Sequence, residues 1–324
     1  MATVSPEALN GLEYIRRATS GDAVRGQFPD FLILGPQRTG TTWVHANLKL
    51  HPELFLSYPK ELYYFNSVQK GAHAFSRHVR DFEWPTRLRD MRPTVRRIAQ
   101  VVYFDVLKTG RMPAYSLEWY MRFFHDPFWL RAYKNRRSLR RYGVAYQPRM
   151  YGEATATYAT LDEGIIRDIV RINPEMKALL MVRDPVERAW SHAKMSLVRD
   201  GKRSMEDLPR QAFYDFFTSD YQLACGQFSA HIDKWRRCLK PGHLKVGLYA
   251  DIQERPAVFL VELLEFLGVS ADRRYLGDDI GDRVNPTSAM QIPPHFQGFL
   301  ESLFAEERER LNISGTTHAR AMHA

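Results

Sequence analysis

Short apolar runs alternate with helix-like patterns along most of the chain. Five segments predict β-strands, at Asp30–Leu34, Leu54–Tyr58, Met150–Glu153, Lys177–Val182 and Leu244–Tyr249. Several are apolar runs bounded by turn or charged residues, as expected for parallel strands covered on both faces. Helical spacing occurs between and after them, at Thr42–Leu50, Leu161–Ile172, Val186–Arg199, Ser229–Leu239 and Ala257–Leu267. The alternation predicts a three-layer α/β fold, with a central parallel sheet of about five strands flanked by helices.

Residues 66–147 interrupt this alternation, because no strand pattern occurs there. The segment is rich in aromatic side chains and arginine, as in Tyr115–Phe124. It predicts either a helical insertion on the substrate side of the sheet or ordinary crossover helices between strands. In both cases we expect one domain over residues 1–324, with a core at about residues 30–311 and a loose tail at Ser314–Ala324.

Composition limits the class of protein. The chain has 324 residues, of which 44% are hydrophobic, and this suits a sizeable α/β core. There is no basic segment followed by an apolar one at the N-terminus, and no apolar stretch is long enough to span a bilayer. We therefore expect a soluble cytoplasmic protein without membrane association. Only two cysteines occur, and no Cys/His spacing is typical of zinc, so we expect free thiols and no metal.

The charge balance points to anionic partners. The formal net charge is +9, and much of the excess lies between Arg77 and Arg141. Such a charge suits nucleic acid, a membrane surface or a phosphorylated cofactor. Two clusters, Arg87–Arg97 and Arg131–Arg141, are either solvated helix faces or a docking surface for an acidic substrate.

The strongest candidate site follows the first predicted strand. Gly35-Pro-Gln-Arg-Thr-Gly-Thr-Thr42 is a glycine-framed loop that leads into a helical pattern. Backbone N–H groups at such a bend form, with the helix dipole, a cradle for an anion. A nucleotide-binding P-loop has lysine after its second glycine, but here that position is Thr41, and the cation Arg38 lies inside the loop. The frame is P-loop-like, yet this displacement argues against an ordinary ATPase or GTPase.

A second basic site follows the fourth predicted strand, in Arg183-Asp-Pro-Val-Glu-Arg-Ala-Trp-Ser191. Arg183 lies at the carboxyl end of its strand, where ligands bind in open parallel sheets. Asp184 and Pro185 are typical of a helix start, and Ser191 lies about two turns into that helix. Arg183 and Ser191 either bind one phosphate together, or Arg183 is structural. Two anion sites on one sheet edge indicate a ligand with two separated phosphates.

Glu61 is the candidate general base. It follows the second predicted strand, in Lys60-Glu-Leu-Tyr-Tyr-Phe-Asn66, so we expect it at the same sheet edge. It either takes the proton from an attacking hydroxyl or amine, or pairs with Lys60 as a surface residue. His125 is the alternative base because histidine titrates near neutrality, although a histidine before Asp-Pro is also typical of a turn. His45 is interpreted as a packing residue.

These motifs resemble those of sulfotransferases that use 3′-phosphoadenosine 5′-phosphosulfate (PAPS). The Gly35–Trp43 segment is similar to their 5′-phosphosulfate loop, and Arg183–Ser191 is similar to their 3′-phosphate site. The heparan sulfate-type branch is matched better than the cytosolic phenol and steroid branch, at Lys60–Asn66, Glu118–Tyr120 and Gly152–Tyr158. The resemblance extends from about Asp30 to Leu311 and implies a soluble, bacterial-style member of the superfamily.

The resemblance implies a role for each matching residue. Arg38 takes the place of the loop lysine that contacts the transferred sulfonate, and Glu61 matches the catalytic base. Trp43 matches an aromatic residue that packs on adenine. The implied cofactor-binding residues are Gly35, Arg38, Thr39, Gly40, Thr41, Thr42, Trp43, Arg183, Ser191, Tyr249, Asn285 and Ser288. PAPS is then the sulfuryl donor and 3′,5′-bisphosphoadenosine the product, with no metal required.

Two departures from the family pattern affect this interpretation. Arg38 keeps the charge of the usual lysine but does not donate a proton at neutral pH, so we expect it only to stabilise negative charge. Ala154 stands where the heparan branch often has lysine, which argues against a polysaccharide specificity. We expect a small-molecule or carbohydrate acceptor, as in secondary metabolism, and no nucleic acid partner; the sequence leaves the oligomeric state open.

Two other classes of protein are alternatives. A P-loop kinase would share the anion loop, but it needs a Gly-Lys pair that this loop lacks. A basic nucleic-acid-binding protein would explain the charge, but it would not explain two positioned anion sites.

Overall fold

Parallel strands form the centre of the molecule. This computed structural model describes residues 27–57, 60–70, 117–198, 208–277, 280 and 291–312. Within these ranges the sheet consists of β1 (Phe31–Leu34), β2 (Leu54–Leu56), β3 (Met150–Ala154), β4 (Lys177–Val182) and β5 (Leu244–Leu248). The strands are ordered β2-β3-β1-β4-β5, and every neighbouring pair is parallel. The carboxyl ends of all these strands therefore lie at one edge of the sheet, where ligands bind in this architecture.

Helices connect the strands and follow the last one. Between β1 and β3 lie α1 (Thr41–Leu48), α2 (Tyr64–Lys70), α3 (Leu117–Met121) and α4 (Phe128–Tyr142). Between β3 and β5 lie α5 (Glu163–Ile172), α6 (Pro185–Leu197), α7 (Arg210–Thr218), α8 (Asp220–Gly226) and α9 (Phe228–Cys238). After β5 come α10 (Tyr249–Glu254), α11 (Pro256–Leu267), α12 (Pro294–Leu303) and α13 (Ala305–Arg310). Short 3-10 turns occur at Arg122–Phe124, Ala156–Thr160 and Arg273–Tyr275.

Side chains alternate between the two faces of the sheet, and each face is covered by helices. In β1, Leu32 and Leu34 pack in one core cluster, and Phe31 and Ile33 pack in another. Helices α5 and α9 contribute apolar residues to the first cluster, whereas α1 and α11 contribute to the second. Both faces of β1 are fully buried, which explains its continuous apolar sequence. The predicted three-layer α/β fold is confirmed.

The predicted boundaries lie within two residues of the observed ones. Helix α6 shows a local cause for its start: the side chain of Asp184 accepts hydrogen bonds from the backbone N–H of Val186 at 2.8 Å and of Glu187 at 3.3 Å. The other carboxylate oxygen of Asp184 accepts a bond from Arg308 Nε at 3.1 Å, so α13 is joined to the start of α6. Tyr58 and Arg199, the ends of two predicted elements, lie outside the described residues.

In the described parts of residues 66–147 the structure has the helices α2, α3 and α4, short irregular segments at 125–127 and 143–147, and no strand. Residues 71–116, which include the Arg87–Arg97 cluster, lie outside the described residues, as does the predicted loose tail. None of the helices in the described ranges is long and apolar enough to cross a membrane.

Close packing of β1 against β3 generates a first prediction. Gly152 pairs with Phe31, and a Cβ atom at Gly152 would lie 2.1 Å from Cζ of the Phe31 ring. We expect Gly152→Ala to lower the free energy of unfolding by about 2 kcal/mol, because the buried ring has to move. Gly164→Ala in α5 is the matched control, since its Cβ would meet no atom within 4 Å. It should be neutral or stabilise by ~0.5 kcal/mol. Urea unfolding measures both variants, and equal values would contradict the prediction.

Candidate active site

Two glycines fix the shape of the loop that follows β1. Gly35 has φ +144°, and a Cβ there would lie 2.5 Å from the carbonyl oxygen of Met181 in β4. Gly40 has φ +96°, and a Cβ there would lie 2.6 Å from Ile252 in α10. Both positions therefore require glycine. Gly40 is also the N-cap of α1, so no side chain caps the first turn of this helix, and that turn has no acidic residue. These N–H groups are suited to an external anion.

The threonines of the loop are partly engaged in the protein. Thr39 is buried and its hydroxyl donates to the carbonyl oxygen of Pro36 at 2.8 Å, which closes the loop on itself. Thr41 is buried at the start of α1, and Thr42 beside it is half-buried. Thr39 thus stabilises the loop, while Thr42 retains solvent access for a ligand.

Arg38 joins the loop to helix α6. Its Nε donates to the hydroxyl of Ser191 at 2.9 Å, and its Nη1 lies 3.7 Å from the sulfur of Met195. Arg183 approaches from the end of β4, where its Nη1 donates to the Arg38 carbonyl oxygen at 3.2 Å. The Arg183 guanidinium also lies 4.3 Å from the ring centroid of Tyr249. The structure therefore brings together four of the residues predicted to bind the cofactor.

Positive charge is concentrated around Ser191. Burial lowers the pKa of Arg38, and the charge of Arg183 lowers it further. The pKa of Lys194, one turn beyond Ser191, is lowered by burial and then by the charges of Arg183 and Arg38. Arg183 also pairs with the exposed Glu187, with 3.0 Å between nitrogen and oxygen. The mutual repulsion of these cations would be relieved by a bound anion.

Glu61 lies on the other side of the loop, beside the end of β3. Its Oε2 accepts a hydrogen bond from the N–H of Ala156 at 2.9 Å, and its own N–H donates to the Ala154 carbonyl at 2.8 Å. The Ala156 carbonyl in turn accepts the N–H of Gly35 at 3.2 Å. One residue, Ala156, therefore bonds through its backbone N–H to Glu61 and through its carbonyl to the first residue of the anion loop. The ion pair with Lys60, one of the two expectations for Glu61, also forms.

Comparison with known proteins agrees with this arrangement of loops on a parallel sheet. A sequence model described as "Sulfotransferase family" matches residues 29–273. The chain belongs to this sulfotransferase family. Family membership makes it a transferase, and the match includes the loop after β1, Glu61, Arg183 and Ser191.

The curated relatives of this sulfotransferase are distant. The human protein named bifunctional heparan sulfate N-deacetylase/N-sulfotransferase 2 is 22% identical over 268 residues, which is 77% of this chain and 23% of that protein. The mouse protein named bifunctional heparan sulfate N-deacetylase/N-sulfotransferase 4 is 23% identical over 261 residues, which is 76% of this chain and 23% of that protein. The chain therefore spans about a quarter of the length of these relatives.

A solved structure supports the fold. The sulfotransferase from Alicyclobacillus acidocaldarius superposes with a TM-score of 0.52 and 24% identity, over 88% of this chain and 95% of that one. At this identity the likeness concerns the α/β architecture alone.

Glu153 is a site residue that the sequence analysis did not single out. It is fully buried at the end of β3, where the hydroxyl of Thr155 donates to its carboxylate at 2.6 Å, and Tyr120 donates a further bond. Thr155 Oγ1 also accepts the N–H of Leu62, the residue after Glu61, at 3.0 Å. Burial raises the Glu153 pKa to about 7, and the charge of Glu61 adds to this shift. A glutamate inside an apolar strand was the signal available in the sequence.

Other residues predicted for the site lie away from the loop and its neighbours, or outside the described residues. The Trp43 side chain is 4% exposed, stacks on Phe259 and donates to the Ile280 carbonyl at 3.1 Å, so we assign it to the core rather than to adenine.

His125 is exposed after the 3-10 turn that follows α3. His45 is buried in α1, as expected for a packing residue. Asn285 and Ser288 lie outside the described residues. Among the residues described, no group of three or more His, Cys, Asp or Glu side chains could hold a metal ion.

The buried Glu153 predicts a pH dependence of stability. Its pKa rises from 4.5 to about 7 on folding, so in this range the folded protein holds a proton that the unfolded chain has lost. Stability therefore falls as pH rises through the window, by about 2–3 kcal/mol between about pH 5 and about pH 8. The Glu153→Gln variant should not show this loss of stability with rising pH. The Glu265→Gln variant, changed at an exposed site, should still show it. Urea unfolding at both pH values measures the difference, and parallel curves for wild type and Glu153→Gln would contradict the prediction.

Proposed function

We propose that this protein is a PAPS-dependent sulfotransferase with a hydroxyl or amine acceptor on a small molecule or carbohydrate. The observation that supports it most is the backbone of Ala156, whose N–H bonds to the Glu61 carboxylate and whose carbonyl bonds to the glycine-framed loop. The acceptor side of the reaction needs a base next to the donor, and the nearness of Glu61 to the loop supports this role for it.

The residues around the loop fit a ligand with two phosphate groups. The N–H groups at the start of α1 and the Thr42 hydroxyl would bind the 5′-phosphosulfate. Arg183 and Ser191 would bind the 3′-phosphate, beside Tyr249. The fit rests on the uncapped first turn of α1 and on the crowded cations Arg38 and Arg183, whose charges an anion would balance. When bound, PAPS supplies the sulfuryl group and a phosphate leaving group.

Glu61 would accept the proton of the acceptor hydroxyl or amine as it attacks. The bond from Ala156 N–H fixes one carboxylate oxygen, and the Glu153–Thr155 pair holds the neighbouring Leu62 backbone. These contacts orient Glu61 before the acceptor binds. A carboxylate in this role typically contributes about 10²–10⁴-fold to the rate.

Arg38 would stabilise negative charge on the donor without donating a proton, because a guanidinium stays protonated at neutral pH. Its contact with Ser191 directs it to the side of the loop where the 3′-phosphate site is proposed. The family resemblance implies that Arg38 contacts the sulfonate. Since Nε is bonded to Ser191, this contact requires either another N–H group of the guanidinium or a different side-chain rotamer. The names of the curated relatives include N-sulfotransferase activity on heparan sulfate, which supports an amine as one acceptor class.

Ligand-dependent melting tests the cofactor. We expect 3′,5′-bisphosphoadenosine to raise Tm and Mg-ATP to have little effect. Arg183→Gln should weaken binding of the bisphosphate about 30-fold, because a charge-assisted contact contributes about 2 kcal/mol. The exposed Arg167→Gln in α5 is the control with the same charge change. Stabilisation by Mg-ATP alone would favour a kinase, and stabilisation by neither ligand would contradict the proposal.

Substitution of Glu61 tests the base. Glu61→Gln should lower kcat at least about 100-fold and leave the affinity for 3′,5′-bisphosphoadenosine unchanged, since the base does not contact the nucleotide in this scheme. His125→Gln, made in parallel, should retain activity. Full turnover by Glu61→Gln together with loss of turnover by His125→Gln would transfer the role to His125.

A further inference from the structure

Helix α4 turns polar side chains toward the protein and exposes apolar and cationic side chains together. Its inward positions are Lys134, Ser138 and Tyr142, four residues apart, and the last two are buried. Lys134 Nζ donates to Asp126 at 2.7 Å and lies 4.5 Å from the ring centroid of Phe55 in β2. This inverts the usual pattern of a surface helix, in which the apolar face packs on the core.

The exposed apolar residues of the described chain are concentrated on this helix. Six large hydrophobic side chains are exposed, and four of them belong to α4: Phe128 at 86%, Trp129 at 45%, Tyr133 at 48% and Leu139 at 48%. Single exposed apolar residues are ordinary, but a cluster on one element indicates a binding surface.

The helix is also strongly basic. Within Phe128–Tyr142 there are six cations and no acidic residue: Arg131, Lys134, Arg136, Arg137, Arg140 and Arg141. All five arginines are exposed. Arg136, Arg137 and Arg140 form no ion pair with another described residue. A shallow cavity of about 390 Å³ is lined by these three arginines with Tyr133 and Arg141. The positive charge of Arg136, Arg137 and Arg140 is therefore exposed to solvent and accessible to an anionic partner.

The arrangement of the two kinds of side chain indicates the form of that partner. Trp129, Tyr133, Arg136 and Arg140 are spaced i, i+4, i+7 and i+11, so they form one stripe along the helix. Phe128 and Leu139 both lie along one side of this stripe, and the fifteen-residue helix is about 22 Å long. A soluble polyanion would pair with the arginines and leave Phe128 and Leu139 in water. A lipid bilayer with anionic headgroups would cover both, because tryptophan and tyrosine favour the interfacial region and arginine binds phosphate.

We propose that α4 is a docking helix that lies on a membrane surface rich in anionic phospholipid. The arginines would contact headgroup phosphates, and the aromatic and leucine side chains would enter the interface. The sequence predicted no membrane partner, because it has no spanning segment, but surface binding by one helix face needs no such segment. Helix α4 contains none of the residues assigned to sulfuryl transfer, so this inference is independent of the proposed reaction.

Vesicle sedimentation with the full chain tests the proposal. Phosphatidylcholine vesicles with phosphatidylglycerol should bind the protein, and vesicles of phosphatidylcholine alone should bind it far less. Arg136→Gln with Arg140→Gln should weaken binding about 30-fold, from the loss of two surface cations. Arg236→Gln with Arg237→Gln in α9 removes the same charge from another exposed site and should change binding less than about 3-fold. Melting curves establish that each variant is folded.

Fluorescence quenching by brominated lipids tests whether the apolar face enters the bilayer. We expect quenching of the wild-type protein that Trp129→Phe reduces, and weaker binding by Phe128→Ala with Leu139→Ala. Three results would overturn the proposal: equal binding to neutral and anionic vesicles, equal effects of the α4 and α9 arginine pairs, or Arg136-dependent binding to dextran sulfate without lipid quenching. The last result would assign the helix to a soluble polyanion.

Discussion

The backbone of Ala156 makes the two hydrogen bonds on which the geometry of the candidate site depends. Its N–H binds the Glu61 carboxylate, and its carbonyl accepts the N–H of Gly35. The strand order makes this possible, because β3 lies between β2, which leads to Glu61, and β1, which leads to the loop. The residues after β3 therefore reach both neighbours, and a shift of this strand would move the carboxylate and the anion loop together.

Charge is separated across the loop. The carboxylates of Glu61 and the buried Glu153 lie on the side of β3, and Arg38 and Arg183 lie on the side of β4. The uncharged Gly35 end of the loop lies between them. Glu61 is paired with Lys60 and Arg183 with Glu187, so each side of the loop has its own ion pair.

The strands and the glycine-framed loop were predictable because they depend on local sequence. A buried parallel strand requires an apolar run, as at Lys177–Val182, and the loop after β1 requires glycine where φ is positive. The direction of the Arg38 side chain was not predictable, since Ser191 is distant in the sequence and the contact arises only on folding. Trp43 was matched to a ligand contact by analogy, but Phe259, on a helix far along the chain, covers it. Burial of Glu153 likewise depends on Tyr120, which packs from α3.

The link between Asp184 and Arg308 has a consequence for how the protein forms during synthesis. Asp184 caps the helix that carries Ser191, and its second oxygen is held by a side chain 124 positions later. A nascent chain that has emerged only as far as β5 contains the loop, Arg183 and Ser191, yet it lacks this anchor. The start of α6 then keeps only the cap bonds from Val186 and Glu187 to Asp184. The segment that carries Arg183 and Ser191 would therefore reach its final contacts only after α13 has left the ribosome.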